Sequence, residues 1–359
     1  MKTALLLFVL LTVAPLLHAQ TDAGPADTLW DLYQQGAFEE VAKQGRALIA
    51  TDNGTAQVNL AVGRALVDMQ RYEEGLPYLL KAAEGDPDRT WVFAWAQVYI
   101  SGCQYQAGNY DGARQALVSA RNSSATKNVV NTARRNLVFL GFAEEYDEWL
   151  PFETEHFSFR FSPRLALFDR VEFAREHEAA YETISTWFGG GPDRKIRFFV
   201  WMDNAEAQAM GLPPLGFARP PYHLIHAYEK QTVGHEMTHI ISDYAVASEF
   251  KCGLINEGTS IYHDQTGRDT LDRARTAMAA YPAEAPAVSL AALWEDWSLL
   301  EDTYSYPVAG AWITWLIEKG GREKFLTFFP NQSLANARAV YGPDLSDWMT
   351  AFETALAGD

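Results

Sequence analysis

The 359-residue chain has few cysteines and few basic residues, and each shortage excludes a class of protein. Its two cysteines, Cys103 and Cys252, are too few for a structural zinc site built from cysteine ligands. Only 29 Lys and Arg residues stand against 46 Asp and Glu residues, which gives a net charge of −17. Because so acidic a surface repels phosphate backbones and anionic lipid headgroups, we expect no nucleic-acid partner.

Long apolar runs are also scarce, and the one clear run occupies residues 4–17. Lys2 precedes this run, and Ala19 offers a small residue for cleavage before Gln20, an order typical of a secretory signal peptide. We therefore expect residues 1–19 to be removed and the protein to be exported, either periplasmic or secreted. Removal would take away Lys2 and no acid, so the net charge would become −18. The run is short for a membrane span, although an uncleaved anchor is the alternative.

The two cysteines could form a disulfide if the protein is exported. Export permits one disulfide between Cys103 and Cys252, which would tie the two halves of the chain together. Two buried thiols are the alternative interpretation.

The strongest chemical signal is the pentapeptide His-Glu-Met-Thr-His at residues 235–239. On a helix, His235 and His239 lie one turn apart on the same face, so both imidazoles can reach one metal ion. Catalytic zinc takes three protein ligands, and Glu257 is the best candidate for the third. Glu236 would then be the general base. Solvated side chains, with Glu257 as an ordinary carboxylate at a helix start, are the alternative.

The surroundings of the pentapeptide favour a helix. Asn256 is expected to cap a second helix from Glu257 towards Gly267, after a break at Cys252-Gly253. Apolar residues recur at helical spacing through the motif and predict a buried stripe: Val233, Met237, Ile240, Ile241 and Tyr244.

Together with Asn256-Glu257-Gly258, the pentapeptide resembles the gluzincin metallopeptidases, in particular their bacterial peptidase-MA-like branch. The stretch that runs from Tyr306 to Gly321 is similar to the family's helix behind the active site, which a tyrosine opens. This resemblance covers about residues 155–330 and implies a Zn²⁺ cofactor. It also implies that Tyr306 donates a hydrogen bond to the oxyanion of the reaction. Tyr304 is the competing choice, and a packing role for either tyrosine is the alternative.

The chain departs from the family in the segment before the zinc helix. Aminopeptidase gluzincins carry Gly-x-Met-Glu-Asn there, whereas residues 216–228 contain no carboxylate. This difference favours an endopeptidase over an aminopeptidase. We expect Leu224, Ile225 and Tyr228 to form an exposed edge strand to which an extended peptide adds. His223 and His226 are interpreted as ordinary polar or packing residues and not as metal ligands.

The first half of the chain repeats itself. Phe38, Tyr72 and Tyr110 follow similar turn sequences at spacings of 34 and 38 residues, and helical patterns follow each aromatic. These spacings resemble tetratricopeptide repeats over about residues 25–140. The repeats could bind a protein partner or a substrate, or could shield one wall of the catalytic half. A plain helical bundle is the alternative.

The predicted fold class is α+β. An N-terminal α-solenoid of tetratricopeptide-like hairpins would span residues 20–145, and a gluzincin-type domain with a small sheet and an active-site helix would span residues 150–359. Residues 157–161 and 195–201 read as strands, and residues 162–188 read as a helix that the segment 189–192 ends. Helices are expected after Gly267, with four tryptophans placed in their core: Trp294, Trp297, Trp312 and Trp315.

These features predict an exported zinc-dependent metallopeptidase that hydrolyses peptide bonds of a peptide or protein substrate. The zinc ion would activate water and Glu236 would act as general base. One alternative is a repeat scaffold whose degenerate peptidase domain binds clients without cutting them. Another is a zinc hydrolase that acts on a non-peptide substrate, since fold and metal do not determine the leaving group.

Overall fold

A computed structural model describes residues 24–123, 125–165 and 169–358, so the predicted signal peptide lies outside the described residues. Within these ranges the protein is a mixed α+β protein, 64% helical, with 17 α-helices and one five-stranded sheet. The chain divides into two compact units. One ends at Trp149 and also takes in Ala207–Leu212, and the other comprises Leu150–Glu206 and the chain from Pro213 onwards. In the described part of the chain, no helix combines the length and apolarity that a membrane crossing needs.

The first unit consists of helices that follow one another through short turns. Consecutive helices pack together, and α3 also contacts both α1 and α5. Phe38, Tyr72 and Tyr110 are the first residues of α2, α4 and α6, so the predicted helical pattern after each aromatic is confirmed. The helices are α1 (Pro25–Gln34), α2 (Phe38–Ala50), α3 (Ala56–Asp68), α4 (Tyr72–Glu84), α5 (Trp91–Gln106), α6 (Tyr110–Arg121) and α7 (Lys127–Phe139).

The three turns before these aromatics share one backbone device. Two residues ahead of each aromatic, the chain adopts a left-handed conformation, at Gly36 (φ 74°), Gln70 (φ 61°) and Gly108 (φ 76°). A left-handed residue reverses the chain after a helix, and glycine does so at least steric cost. The sequence repeat is therefore a repeat of turn geometry as well as of helices.

The second unit is built on a sheet with strand order β1-β2-β3-β5-β4. Strands β2, β3 and β5 run parallel, while β1 and β4 are antiparallel to their neighbours. Phe159 is paired with Phe198, and Phe198 with Ile225, so one face of the sheet is apolar. The strands are β1 (Leu150–Glu153), β2 (Phe157–Phe161), β3 (Ile196–Trp201), β4 (Phe217–Arg219) and β5 (Leu224–Tyr228).

The predicted strands at 157–161 and 195–201 are confirmed, but the predicted exposed edge at Leu224, Ile225 and Tyr228 is wrong. Strand β5 lies between β3 and β4, and β4 is the last strand in the sheet order. After β4 the chain makes a 3₁₀ turn over Pro220–Tyr222, and His223 adopts a left-handed conformation with φ 48°. This turn brings the chain back beside β4, which covers that side of β5.

The long helix of this unit, α8 (Arg170–Phe188), begins later than predicted. Residues Pro163–Leu165 form a 3₁₀ turn, and the Asp169 side chain accepts a hydrogen bond from the backbone of Glu172 and so caps the helix. Gly189, in a left-handed conformation, ends the helix as predicted. A short helix α9 (Asn204–Ala209) follows β3.

The remaining chain is helical and completes the core against one face of the sheet. Trp294 and Trp312 are buried, and Trp297 and Trp315 are half-buried against the same core, as predicted. The helices are α10 (His235–Ala245), α11 (Gly253–Tyr262), α12 (Thr270–Ala279), α13 (Leu290–Glu295), α14 (Asp302–Gly320), α15 (Arg322–Phe328), α16 (Leu334–Tyr341) and α17 (Asp344–Ala357).

Both cysteines are free thiols, so the disulfide between Cys103 and Cys252 is not formed in this structure. Cys103 is buried in the first unit and Cys252 is half-buried in the second. Burial raises the pKa of each thiol to about 12, which makes both poor nucleophiles at neutral pH.

Candidate metal centre

The helix that carries the pentapeptide, α10, starts at a glycine that no other residue could replace without strain. Gly234 has φ 103°, and a Cβ atom there would lie 2.4 Å from the carbonyl oxygen of His263. The chain can therefore turn sharply into the helix, and His235 becomes its first residue. Met237, Ile240 and Ile241 are buried in the core, as the apolar stripe predicted. The histidines consequently face away from the core.

The three predicted ligands converge. Nε2 of His235 and Nε2 of His239 each lie 3.5 Å from Oε2 of Glu257. Ligand atoms of a tetrahedral zinc site with bonds of about 2.0–2.2 Å lie about 3.3–3.6 Å apart, so the two distances to Glu257 are compatible with zinc. Among the described residues, these three form the one group of His, Cys, Asp and Glu side chains that could hold a metal ion.

Helix α11 carries Glu257, but this helix begins earlier than the sequence predicted. The helix begins at Gly253, so Asn256 lies inside it and is not its cap, and Glu257 sits in its second turn. The expected break at Cys252-Gly253 is thus the start of α11. The carboxylate lies in the second turn of α11 instead of at its predicted first residue, and it projects from the side of the helix to the two histidines of α10.

Close packing of α11 on α14 fixes the position of Glu257. A Cβ atom at Gly258 would lie 2.5 Å from the carbonyl oxygen of Ala309, and one at Gly310 would lie 2.3 Å from Cγ2 of Ile261. Each helix therefore presents a glycine to the other, which lets the backbones approach. The ligand carboxylate is held by packing as well as by charge.

The Glu257 carboxylate and the His239 imidazole shift each other's pKa values towards the charged forms. Burial would raise the pKa of Glu257, but the imidazoles of His239 and His235 lower it well below its usual range. Burial would lower the pKa of His239, and the Glu257 carboxylate raises it. Glu257 is therefore ionised at neutral pH, the state in which a carboxylate binds a metal.

Two residues of α11 support His239, and sequence reasoning missed both. The Asn256 amide lies 3.1 Å from Nδ1 of His239, and Oγ of Ser260 lies 3.2 Å from the same nitrogen. For Nε2 to bind a metal, Nδ1 must carry the proton and donate it, and Oγ of Ser260, which itself donates to the Asn256 carbonyl, can accept that proton. Asn256 and Ser260 stand one turn apart on α11, beside Glu257, so the start of this helix was the information needed to find them.

Glu236, the predicted general base, is buried with 8% of its surface exposed. Nε2 of Gln231 donates a hydrogen bond of 2.6 Å to its Oε1. The two side chains line a small pocket together with Tyr228, His177 and Met237.

The structure places Tyr306 beside the candidate metal ligand His235, whereas Tyr304 makes a different contact. The Tyr306 ring lies 6.3 Å from the ring of His235 and 5.6 Å from that of Trp297. Burial and the neighbouring Glu257 carboxylate raise the pKa of Tyr306. The Tyr304 hydroxyl instead donates to the carbonyl of Ala280 at 3.4 Å.

His223 and His226 lie outside the group of described side chains that could hold a metal ion. Nδ1 of His223 accepts a hydrogen bond of 2.9 Å from Nε of Arg194, and burial lowers the pKa of His223 to about 3. Nδ1 of His226 accepts from Nε1 of Trp201 at 3.1 Å.

A comparison of the sequence with protein-family models and with curated proteins finds no match. The gluzincin and tetratricopeptide resemblances therefore depend on the motifs and spacings themselves.

Proposed function

We propose that the protein is an exported zinc-dependent metallopeptidase, and that it acts as an endopeptidase in preference to an aminopeptidase. The observation that carries this proposal is the convergence of His235, His239 and Glu257, with 3.5 Å between Nε2 of each histidine and Oε2 of Glu257. When bound there, zinc would supply Lewis-acid activation of a water molecule and of the scissile carbonyl group.

Glu236 is the group that moves the proton. It follows His235 directly on α10, and its carboxylate is largely withdrawn from solvent. In this role it takes a proton from the attacking water and later passes it to the leaving amine.

Tyr306 is the proposed donor to the oxyanion. Its ring is held between Trp297 and His235, and its raised pKa keeps the phenol protonated at neutral pH. A protonated hydroxyl beside the ligands can donate to negative charge that develops on the carbonyl oxygen.

The sheet supports an extended peptide substrate. Strand β4 ends the sheet order, and α10 packs beside it. An extended peptide that pairs with β4 would run alongside the metal ligands. Since the segment from Gly216 to Tyr228 carries no carboxylate that could hold a free amino terminus, we propose internal cleavage.

The first unit is proposed to be a tetratricopeptide-like solenoid, and the second a gluzincin-type peptidase domain. The repeated turn geometry before Phe38, Tyr72 and Tyr110 supports the first of these assignments. Stacked helical hairpins commonly offer an extended surface to a protein partner.

Metal analysis of the purified protein tests the ligand assignment. We expect one zinc ion per chain, and we expect replacement of His235, His239 or Glu257 by Ala to remove most of it. His223→Asn is the matched control, because asparagine tolerates the left-handed backbone of this position and the variant should keep its zinc. Full zinc in all three ligand variants would show that the assignment is wrong.

Cleavage of an unbiased peptide library separates an enzyme from a scaffold. Glu236→Gln should keep zinc and lose hydrolysis, because it removes the base and leaves every ligand in place. Unchanged turnover in this variant would refute the mechanism. A wild-type protein that holds zinc and cleaves no peptide would instead favour a client-binding scaffold or a non-peptide substrate.

A further inference from the structure

Gln231 belongs to the turn between β5 and α10, and its side chain reaches the proposed base. Its backbone N–H donates to the carbonyl of Tyr228 at 2.9 Å, which closes the turn. Its Nε2 donates to Oε1 of Glu236 at 2.6 Å. The amide nitrogen of Gln231 is assigned as the donor and the Glu236 carboxylate oxygen as the acceptor.

Gly216, one residue before β4, leaves the space in which this carboxamide lies. A Cβ atom at Gly216 would stand 1.8 Å from Oε1 of Gln231 and 2.3 Å from its Cδ. The backbone of Gly216 is not left-handed, so its conformation does not require glycine. The Gln231 amide is thus the group that any side chain at position 216 would displace.

The carboxamide has no second anchor. Oε1 of Gln231 is buried and has no hydrogen-bond partner in the structure of the described residues. The contact with Glu236 and the open space at Gly216 therefore account for the position of this side chain.

We propose that Gln231, in the space that Gly216 provides, is a positioning residue for Glu236. By engaging Oε1, it fixes the carboxylate plane and leaves Oε2 as the oxygen that takes the proton from water and returns it to the amine. This inference rests on the proposed function, and it adds two residues outside the zinc-binding motifs to the catalytic apparatus.

Two variants remove the contact in different ways. Gln231→Met keeps the length of the side chain and lacks the amide donor. Gly216→Ala keeps Gln231 and pushes its flexible end away from Glu236. Each should lower kcat about tenfold, with KM and zinc content within about twofold, since only orientation of the base is lost. Gly190→Ala is the matched control, because its Cβ would meet only ordinary contacts at 3.8 Å and beyond, and its kcat should be unchanged.

The double variant distinguishes a shared role from two separate effects. If Gly216 acts through Gln231, the combination of Gly216→Ala and Gln231→Met should lower kcat no further than either change alone. A double variant whose loss of kcat equals the product of the two single losses would overturn the inference and leave the proposed hydrolysis intact. The same holds if both single variants keep a kcat within twofold of wild type.

A spectroscopic measurement tests the contact apart from activity. In protein labelled with ¹⁵N-glutamine, the side-chain amide protons of Gln231 should exchange slowly with solvent, and Glu236→Ala and Gly216→Ala should each abolish this protection. If the zinc protein hydrolyses nothing, the proposed function fails, and a protected amide would still support the positioning of Glu236. A freely exchanging Gln231 amide in the wild-type protein would overturn the inference in either case.

Discussion

Replacement of Tyr306 by phenylalanine removes one hydroxyl group from the proposed active site and little else. The aromatic ring stays because it packs edge-on against Trp297 at 5.6 Å and lies 6.3 Å from the ring of His235. The residue is half-buried in α14, and phenylalanine fits the same helix position. The variant therefore isolates the hydroxyl that lies beside Glu257.

The expected loss follows from the role of that hydroxyl. If it donates to the oxyanion, Tyr306→Phe should lower kcat by one to three orders of magnitude, on the order of 1.4–4 kcal/mol. KM and zinc content should change little, since the contact strengthens only in the transition state. Burial and the Glu257 carboxylate raise the pKa of Tyr306, so the phenol stays protonated and the fold-loss should be the same throughout the neutral pH range.

Steady-state kinetics on a cleaved library peptide, with zinc analysis of the same samples, measures this effect. Tyr304→Phe is the control, because its hydroxyl donates to the Ala280 carbonyl at 3.4 Å and the variant should keep activity within about twofold. A Tyr306→Phe enzyme with wild-type kcat would reduce Tyr306 to a packing residue. A loss confined to Tyr304→Phe would transfer the oxyanion role to that residue.

Three further predictions concern the support of the site and the core. Ser260→Ala should weaken zinc affinity about 10- to 100-fold in a chelator competition, because Nδ1 of His239 loses its acceptor; unchanged affinity would remove Ser260 from the site. Gly258→Ala should lower the free energy of unfolding by about 1–3 kcal/mol in denaturant titrations, because its Cβ would meet the Ala309 carbonyl at 2.5 Å. A variant as stable as the wild type would contradict the close packing of α11 and α14. Burial lowers the pKa of His177 from 6.5 to about 4, so the unfolded chain binds a proton at a higher pH than the folded chain does. Stability that is present above pH 6.5 should therefore be lost as the pH falls towards 4, by up to about 3 kcal/mol in the free energy of unfolding. An equally steep loss in a His177→Phe variant would refute this prediction.

Local patterns in the sequence determined the elements that carry the site. The apolar spacing through Met237, Ile240 and Ile241 predicted α10, and the one-turn separation of His235 and His239 placed both on the same face of it. The alternation of residues 157–161 likewise predicted β2. These predictions succeeded because each depends on periodicity within one segment.

Turn geometry and contacts between distant segments decided the rest. Strand β4 pairs with β5 and takes the edge position, because the turn over Pro220–Tyr222 and the left-handed His223 fold the chain back. The family resemblance favoured Tyr306 and left Tyr304 as the competing choice, and only the packing of α14 places the Tyr306 ring near His235. The hairpin of β4 and β5 is local, whereas the pairing of β5 with β3 and the packing of α14 on α11 join side chains far apart in the chain, which no local pattern records.

The motifs alone determined which residue types could bind a metal, and only the tertiary structure decided how they meet. The sequence favoured Glu257 as the third ligand, but its approach to the two histidines depends on an α11 that begins at Gly253 and packs through Gly258. Gln231 carries no signal in the sequence, because its contact with Glu236 exists only where the chain brings Gly216 beside the turn before α10. A chemical group can be recognised from its residue type, whereas its orientation is a property of the packed chain.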